Sequence, residues 1–252
     1  VDQAFEFDLA AAMVASVNEG DTGRMLKTLR SGPRDFPKGQ YGIFLANHDM
    51  TRVITQLGDD PQKARAAASV YLSLPGVPFI YYGEEIGMRN LPPDRLSLPP
   101  MQWSGGTNAG FSEAKPWAAA EVDPQFNVAA ETGDPDSLLS HYRRLIALRR
   151  DHPALQTGEL VLPSTNNPGL FAALRVANGE AVMALVNLTG ALVEDYRLSV
   201  PLSGLPPGEY APTPLLGDSA ASALTVLDKG RVTNYVPLAE IPPYATILWW
   251  ME

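Results

Sequence analysis

The chain has 252 residues, 45% of them hydrophobic, a formal net charge of -9 and no cysteine, so it can bury a core and fill one large or two modest domains. The acidic balance, with no run of Lys or Arg, argues against the counter-ion release that drives nucleic-acid binding and against attraction to anionic membranes. Disulfides and thiolate metal sites are excluded, and no apolar run approaches the roughly 18 to 20 residues that a membrane-crossing helix needs.

The first residues, "VDQAFEFDLAAAMVAS", carry neither an initial Met nor a basic leader. They are expected to lie within a longer protein. "QAFEFDL" is strand-like and feeds an Ala-rich stretch, and "GDTGRMLKTLRSG" has apolar residues at helical spacing. "YGIFLA" is a β-rich run that breaks at Asn47. "DDPQKARAAASVYLSLPG" predicts a helix with an acidic start, Pro61 in its first turn and a Pro-Gly stop. "VPFIYYG" is a second, nearly continuous apolar strand. Strands apolar on both faces and separated by helices imply a parallel sheet covered on each side, so this half is expected to be successive βα units. After the Pro/Gly-rich "LPPDRLSLPPMQWSGGTNAGF", "DPDSLLSHYRRLIALRRDHPAL" predicts another helix, with Asp134 or Asp136 as its cap and Arg residues near its end.

Beyond Leu155 short strand candidates recur between turn signals: "GELVLP", "LFAALRV", "AVMALVNL", "DYRLSV", "GEYAPTPLL", "ALTVL", "RVTNYVPL" and "ATILWW". This spacing predicts an all-β sandwich or barrel in which each strand offers one apolar face. The expected division is residues 1–154 for the α/β part and 155–252 for the all-β part.

In parallel α/β architectures the substrate lies beyond the carboxyl ends of the strands. His48 and Asp49 sit at that end of "YGIFLA", with Arg52 three residues on; Tyr81, Tyr82, Gly83, Glu84 and Glu85 sit at that end of "VPFI". A carboxylate beside a His and an Arg stays ionised and suits gripping hydroxyls or stabilising positive charge, as glycoside hydrolysis requires. The alternative is an Asn/Asp turn with a solvated Arg, and from the residues alone both stand.

"FLANHDMTRV", then "LSLPGVPFIYYGEEIGM", then "PPMQWSGGTNAGFS" resemble the α-amylase family of retaining glycoside hydrolases. There, similar motifs mark the seventh and eighth strands of a (β/α)8 barrel and the loop after the eighth. "SLLSHYRRLIALRRDHPAL" is similar to that family's last barrel helix, and the β-rich tail to the sandwich that follows. The resemblance implies a fold of α/β plus all-β class: a partial (β/α)8 TIM barrel of about three βα units, then a β-sandwich.

It also implies site roles. Asp49 matches the acidic residue that stabilises the distorted sugar at the cleavage point. His48 matches the histidine beside it, and Arg52 stands where an Arg orients carboxylates or substrate, a salt bridge being its other reading. Tyr82 is the residue of the Tyr81/Tyr82 pair assigned to sugar, on the expectation that strand alternation splits them. Glu84 and Glu85 are expected to hold loop backbone or a helix end. Trp103 and Trp117 either stack on sugar or pin their loop, the latter favoured. His141 and His152 are expected to be structural, with no metal-ligand spacing, and Trp249 or Trp250 to enter the sandwich core.

The nucleophile and the acid/base of the family lie on its fourth and fifth strands, which match nothing here. The implied activity is therefore that of a carboxyl-terminal portion of an enzyme cleaving α-1,4-glucans, starch and maltooligosaccharides, with retention. Oligo-α-glucosidases and trehalose synthases share parts of the pattern, and a non-catalytic carbohydrate-binding or interaction module is the reading from another class. No cofactor is expected in this chain, calcium being held in the family largely by upstream regions. The expected partners are the glucan and either the amino-terminal half of the barrel or a second copy, docked on exposed barrel edges. The β-rich part is expected to steady the last helix.

Overall fold

The computed structural model describes residues 4–31, 40–90, 98–217 and 220–252. Three short parallel strands, β1 (Ala4–Phe5), β2 (Tyr41–Ile43) and β3 (Val77–Pro78), lie side by side in chain order. Helices α1 (Phe7–Glu19) and α2 (Gly23–Ser31) separate the first two; α3 (Val53–Gln56) and α4 (Pro61–Ser73) separate the second and third. Three βα units are thus present, and among the described residues the sheet does not close into a barrel.

Local chemistry accounts for the helix ends. Glu6 caps α1 by accepting the Leu9 N–H at 3.1 Å, and Gly20 ends it with a left-handed φ of 64°. Asp60 caps α4 through the N–H groups of Gln62 and Lys63, with Pro61 at the first helical position. Helix α5 (Val128–Thr132) precedes the long α6 (Leu138–Asp151) and the short α7 (Pro153–Thr157). The cap of α6 is Ser137, not Asp134 or Asp136: Ser137 Oγ accepts the Ser140 N–H at 3.1 Å, while Asp134 spends its carboxylate on the N–H of Asp136.

Strands β4 (Glu159–Val161), β5 (Ser164–Thr165), β6 (Leu170–Ala177), β7 (Glu180–Asn187), β8 (Leu198–Val200), β9 (Gly208–Tyr210), β10 (Pro212–Leu216), β11 (Leu224–Val226), β12 (Val232–Tyr235) and β13 (Thr246–Met251) follow. They form a five-stranded antiparallel sheet in the order β10-β13-β7-β6-β4, a three-stranded sheet β12-β8-β5 and a two-stranded ribbon β11-β9. "GEYAPTPLL" is two strands rather than one, and β5 has no apolar signal by which to find it.

The central strands depart from the one-face expectation. Along β7, Ala181, Met183 and Leu185 face a cluster shared with β8, β11 and β12, where Trp249 is fully buried. Val182 and Ala184 face α7 together with Leu248. Phe171, Ala173, Val186 and Leu188 enter the same cluster as α1, α4 and α6. The middle strands of the five-stranded sheet, β6, β7 and β13, are covered on both sides and are apolar on both sides. Among the described residues no helix is long and apolar enough to cross a membrane.

Candidate functional site

After β2 the chain turns at Asn47. Its Oδ1 accepts the Asp49 N–H at 2.9 Å and its carbonyl accepts the Met50 N–H at 3.1 Å, an Asx turn. The turn sets His48 and Asp49 outward, with 67% and 79% of their side chains exposed and Nε2 3.3 Å from Oδ2. A polar contact so exposed contributes little to stability, so folding does not account for its placement.

Arg52 leaves the same turn in the opposite direction and is 2% exposed. Its Nη1 donates to the Tyr82 carbonyl at 2.7 Å, and its backbone N–H donates to Asn90 Oδ1 at 2.5 Å. The guanidinium lies 4.8 Å and 4.6 Å from the ring centres of Tyr81 and Tyr82. Burial pulls its pKa down, and Tyr82, Tyr81 and Glu85 oppose that. Arg52 is neither solvated nor in a salt bridge among the described residues. Its guanidinium is stacked against two aromatic rings.

Tyr82 is 36% exposed and its hydroxyl donates to the Pro99 carbonyl at 2.8 Å. The Tyr81 and Tyr82 rings meet edge to face, 4.9 Å between centres. Strand alternation does not split the pair, because β3 ends at Pro78 and both rings border Arg52. The residues 91–97 of the Pro-rich insertion lie outside the described residues.

Glu85 faces loop backbone: burial pushes its carboxyl up, and the backbone at residues 85 and 83 and the charge of Arg52 oppose that. Glu84 does not: it is buried and accepts the Tyr142 hydroxyl of α6 at 2.7 Å. Burial pushes its carboxyl up to about 8, against the pull of Tyr142, Tyr71 and Arg52. Trp117 is exposed and its indole N–H donates to the Leu98 carbonyl at 3.2 Å, so it pins the loop it belongs to; Trp103 is half exposed.

His141 is buried against Ser69 Oγ at 2.8 Å, and burial drives its pKa down to about 3, so it is neutral. His152 Nδ1 lies 2.6 Å from Glu180 Oε1, whose other oxygen accepts the Ala154 N–H. Both histidines are structural. Among the described residues no group of three or more His, Asp or Glu is placed to hold a metal ion.

Two further residues, neither assigned a site role from the sequence, complete the arrangement. Asn47 builds the turn, and an Asn two positions before an Asp is a signal for it. Asn90 fastens the turn's far end to the loop after β3, and no local pattern marks it.

The sequence pattern of the alpha-amylase catalytic domain matches residues 4–158. The chain is 35% identical over 153 residues to Alpha-amylase 3 of Dictyoglomus thermophilum, covering 58% of this chain and 30% of that one. It is 29% identical over 217 residues to an oligo-1,6-glucosidase of Halalkalibacterium halodurans, covering 67% and 38%. The crystal structure of an alpha-amylase from H. orenii superposes on 100% of this chain and 49% of its own, with a TM-score of 0.77 and 34% identity. The chain thus spans 30–38% of the length of these curated relatives and about half of the solved one.

Proposed function

The chain belongs to the alpha-amylase family, and from that membership we propose that it supplies part of the active site of a retaining glycoside hydrolase acting on α-1,4-glucans such as starch and maltooligosaccharides. Asp49 is the carboxylate that stabilises the oxocarbenium-like transition state and holds hydroxyls of the sugar at the cleavage point, and His48 donates to the same sugar. The observation that supports this is the Asn47 turn, which presents an exposed carboxylate and imidazole together just beyond a parallel strand.

Tyr82, held by its hydroxyl at Pro99, offers an edge of aromatic wall to the sugar. Arg52 is a positioning residue: through Tyr82 and Asn90 it fixes the turn against the neighbouring loop. The attacking carboxylate and the proton donor are assigned to no residue of this chain. The outer edges of β1 and β3 carry no strand among the described residues, and Phe5, Val77 and Phe79 are 42–49% exposed beside them. That surface supports the association proposed with the remaining barrel units or with a second copy. A single-copy mass in solution, with no retained peptide, would count against it.

Similarity to an oligo-1,6-glucosidase favours a second reading, cleavage of α-1,6 bonds in short oligosaccharides. Product analysis on soluble starch and on isomaltose separates the two. The role of Asp49 is tested by Asp49→Asn in the complete protein. Turnover should fall on the order of a hundredfold or more, with the thermal midpoint unmoved because the side chain is exposed. Unaltered turnover would refute the assignment, whereas a complete protein that binds starch without cleaving it would favour the sugar-binding module.

A further inference from the structure

We propose that Met50 is a site of reversible oxidation by peroxides, and that its sulfoxide displaces the neighbouring His48 and Asp49 and so lowers the output of the site.

The chain has seven methionines and no cysteine. Six of the seven are sealed: Met13, Met25, Met88, Met183 and Met251 are at most 1% exposed, and Met101 is 8% exposed. Met13 and Met25 pack in the cluster shared by α1 and α4, Met183 and Met251 in the core of the β-rich half, and Met88 and Met101 with Leu139 of α6. Each would have to be uncovered by local unfolding before an oxidant reached its sulfur. Met50 alone is partly exposed. With no thiol in the chain to intercept the oxidant, its thioether is the most accessible soft nucleophile.

The place of Met50 gives that exposure a consequence. It follows Asp49 directly, and its N–H donates to the Asn47 carbonyl at 3.1 Å, so it is part of the hydrogen-bonded turn that presents His48 and Asp49. His48 Nε2 lies 3.3 Å from Asp49 Oδ2. Oxidation converts a flexible apolar side chain into a polar one. The new oxygen, one residue from Asp49 and two from His48, competes with the carboxylate for the imidazole N–H, and the negative end of its dipole repels that carboxylate.

The chemistry needs only hydrogen peroxide or an organic peroxide. The sulfur lone pair attacks one peroxide oxygen, the S–O bond forms and the O–O bond breaks. With hydrogen peroxide the proton passes to the departing hydroxide, so the products are the sulfoxide and one water. Sulfur loses two electrons and the peroxide gains them. Methionine sulfoxide reductases reverse the step, one enzyme for each epimer.

The place of oxidation rests on the burial of the methionines alone; its effect on turnover rests on the role of Asp49 proposed above. The test exposes the folded chain to limiting hydrogen peroxide and locates the oxygen by peptide mass, tryptic peptide 39–52 holding Met50 as its only methionine. That peptide should gain one oxygen before any other methionine does, and the reductases should remove it. Backbone amides of His48 and Asp49 should shift with the gain and return with the removal. In the complete protein starch turnover should fall about tenfold or more, because a small displacement of a catalytic group costs that much. Met50→Leu keeps the volume without a sulfur to oxidise and should resist the loss.

Oxygen taken first by another methionine, a fully oxidised Met50 with the His48 and Asp49 amides unmoved, or an equal loss of turnover in Met50→Leu would each overturn the proposal. A complete protein with no starch turnover before treatment would instead sink the α-glucan reading, and the mass and amide measurements would still decide on Met50.

Discussion

Replacing Glu84 by Gln should flatten the pH dependence of the chain's stability. The carboxyl is buried in the turn after β3, and desolvation is the largest cause of its upward displacement from 4.5 to about 8. The hydrogen bond from Tyr142, the nearby Tyr71 hydroxyl and the charge of Arg52 oppose that, and Glu85 adds to it. The folded chain therefore keeps Glu84 protonated at neutral pH, whereas the unfolded chain ionises it above about 4.5. Between the two values the unfolded state binds fewer protons, so stability falls as pH rises. The contribution is fully present below 4.5 and is lost by the time pH passes about 8. That interval, at about 1.4 kcal/mol per pH unit, comes to about 5 kcal/mol, comparable with the net stability of a small domain. Gln mimics the protonated acid and still accepts the Tyr142 hydroxyl. Urea unfolding at acid, neutral and mildly alkaline pH should give a wild type that loses several kcal/mol (about 5 at most) relative to the variant. Parallel curves for the two proteins would refute the assignment of a protonated Glu84.

Two further substitutions probe the supports of the site. Arg149→Met removes donors to the carbonyls of Leu72, Leu74 and Gly76 and leaves those carbonyls buried; the urea midpoint should report a loss of about 3–5 kcal/mol, and a loss below about 1 kcal/mol would show that the carbonyls find other donors. Arg52→Lys keeps the charge but loses the planar head that lies over both Tyr81 and Tyr82. In the complete protein KM should rise more than kcat falls, and a fall in folded yield with unchanged KM would make the residue purely structural.

Much of this arrangement was legible because it is local. Pro61 after Asp60, the Ala/Leu face of α4 and the apolar runs of β2 and β3 announce βα units, and the alternating runs after Leu155 announce antiparallel strands. The cap of α6 was misassigned because three candidate capping side chains, Asp134, Asp136 and Ser137, stand within four residues, and only backbone geometry chooses among them. The enclosure of Arg52 and the bond from Tyr142 to Glu84 were illegible for another reason. They join residues 30 and 58 positions apart, and no periodicity carries information over that separation. The two-sided burial of β6, β7 and β13 could be read only in part: "AVMALVNL" is continuous rather than alternating, which is the mark of a strand covered on both faces.

The long-range polar contacts also tie the β-rich half to the site without its touching a substrate. Arg175, on β6, is fully buried and donates to the Ser73 carbonyl at the end of α4 and to the Gly158 carbonyl. Burial and the neighbouring Arg149 pull it down to about 9, so it remains charged at neutral pH. Arg149, from α6, takes the next carbonyls along the same segment. Together they fix residues 72–76, the entry to β3. The position of β3 then sets where Tyr81 and Tyr82 emerge, and Arg52 passes that position on to the turn that carries His48 and Asp49. A guanidinium does this better than an ammonium because one planar head reaches several carbonyls at once. The β-rich half thus steadies more than the last helix: it anchors the last strand, and through that strand the loop against which the exposed carboxylate is set.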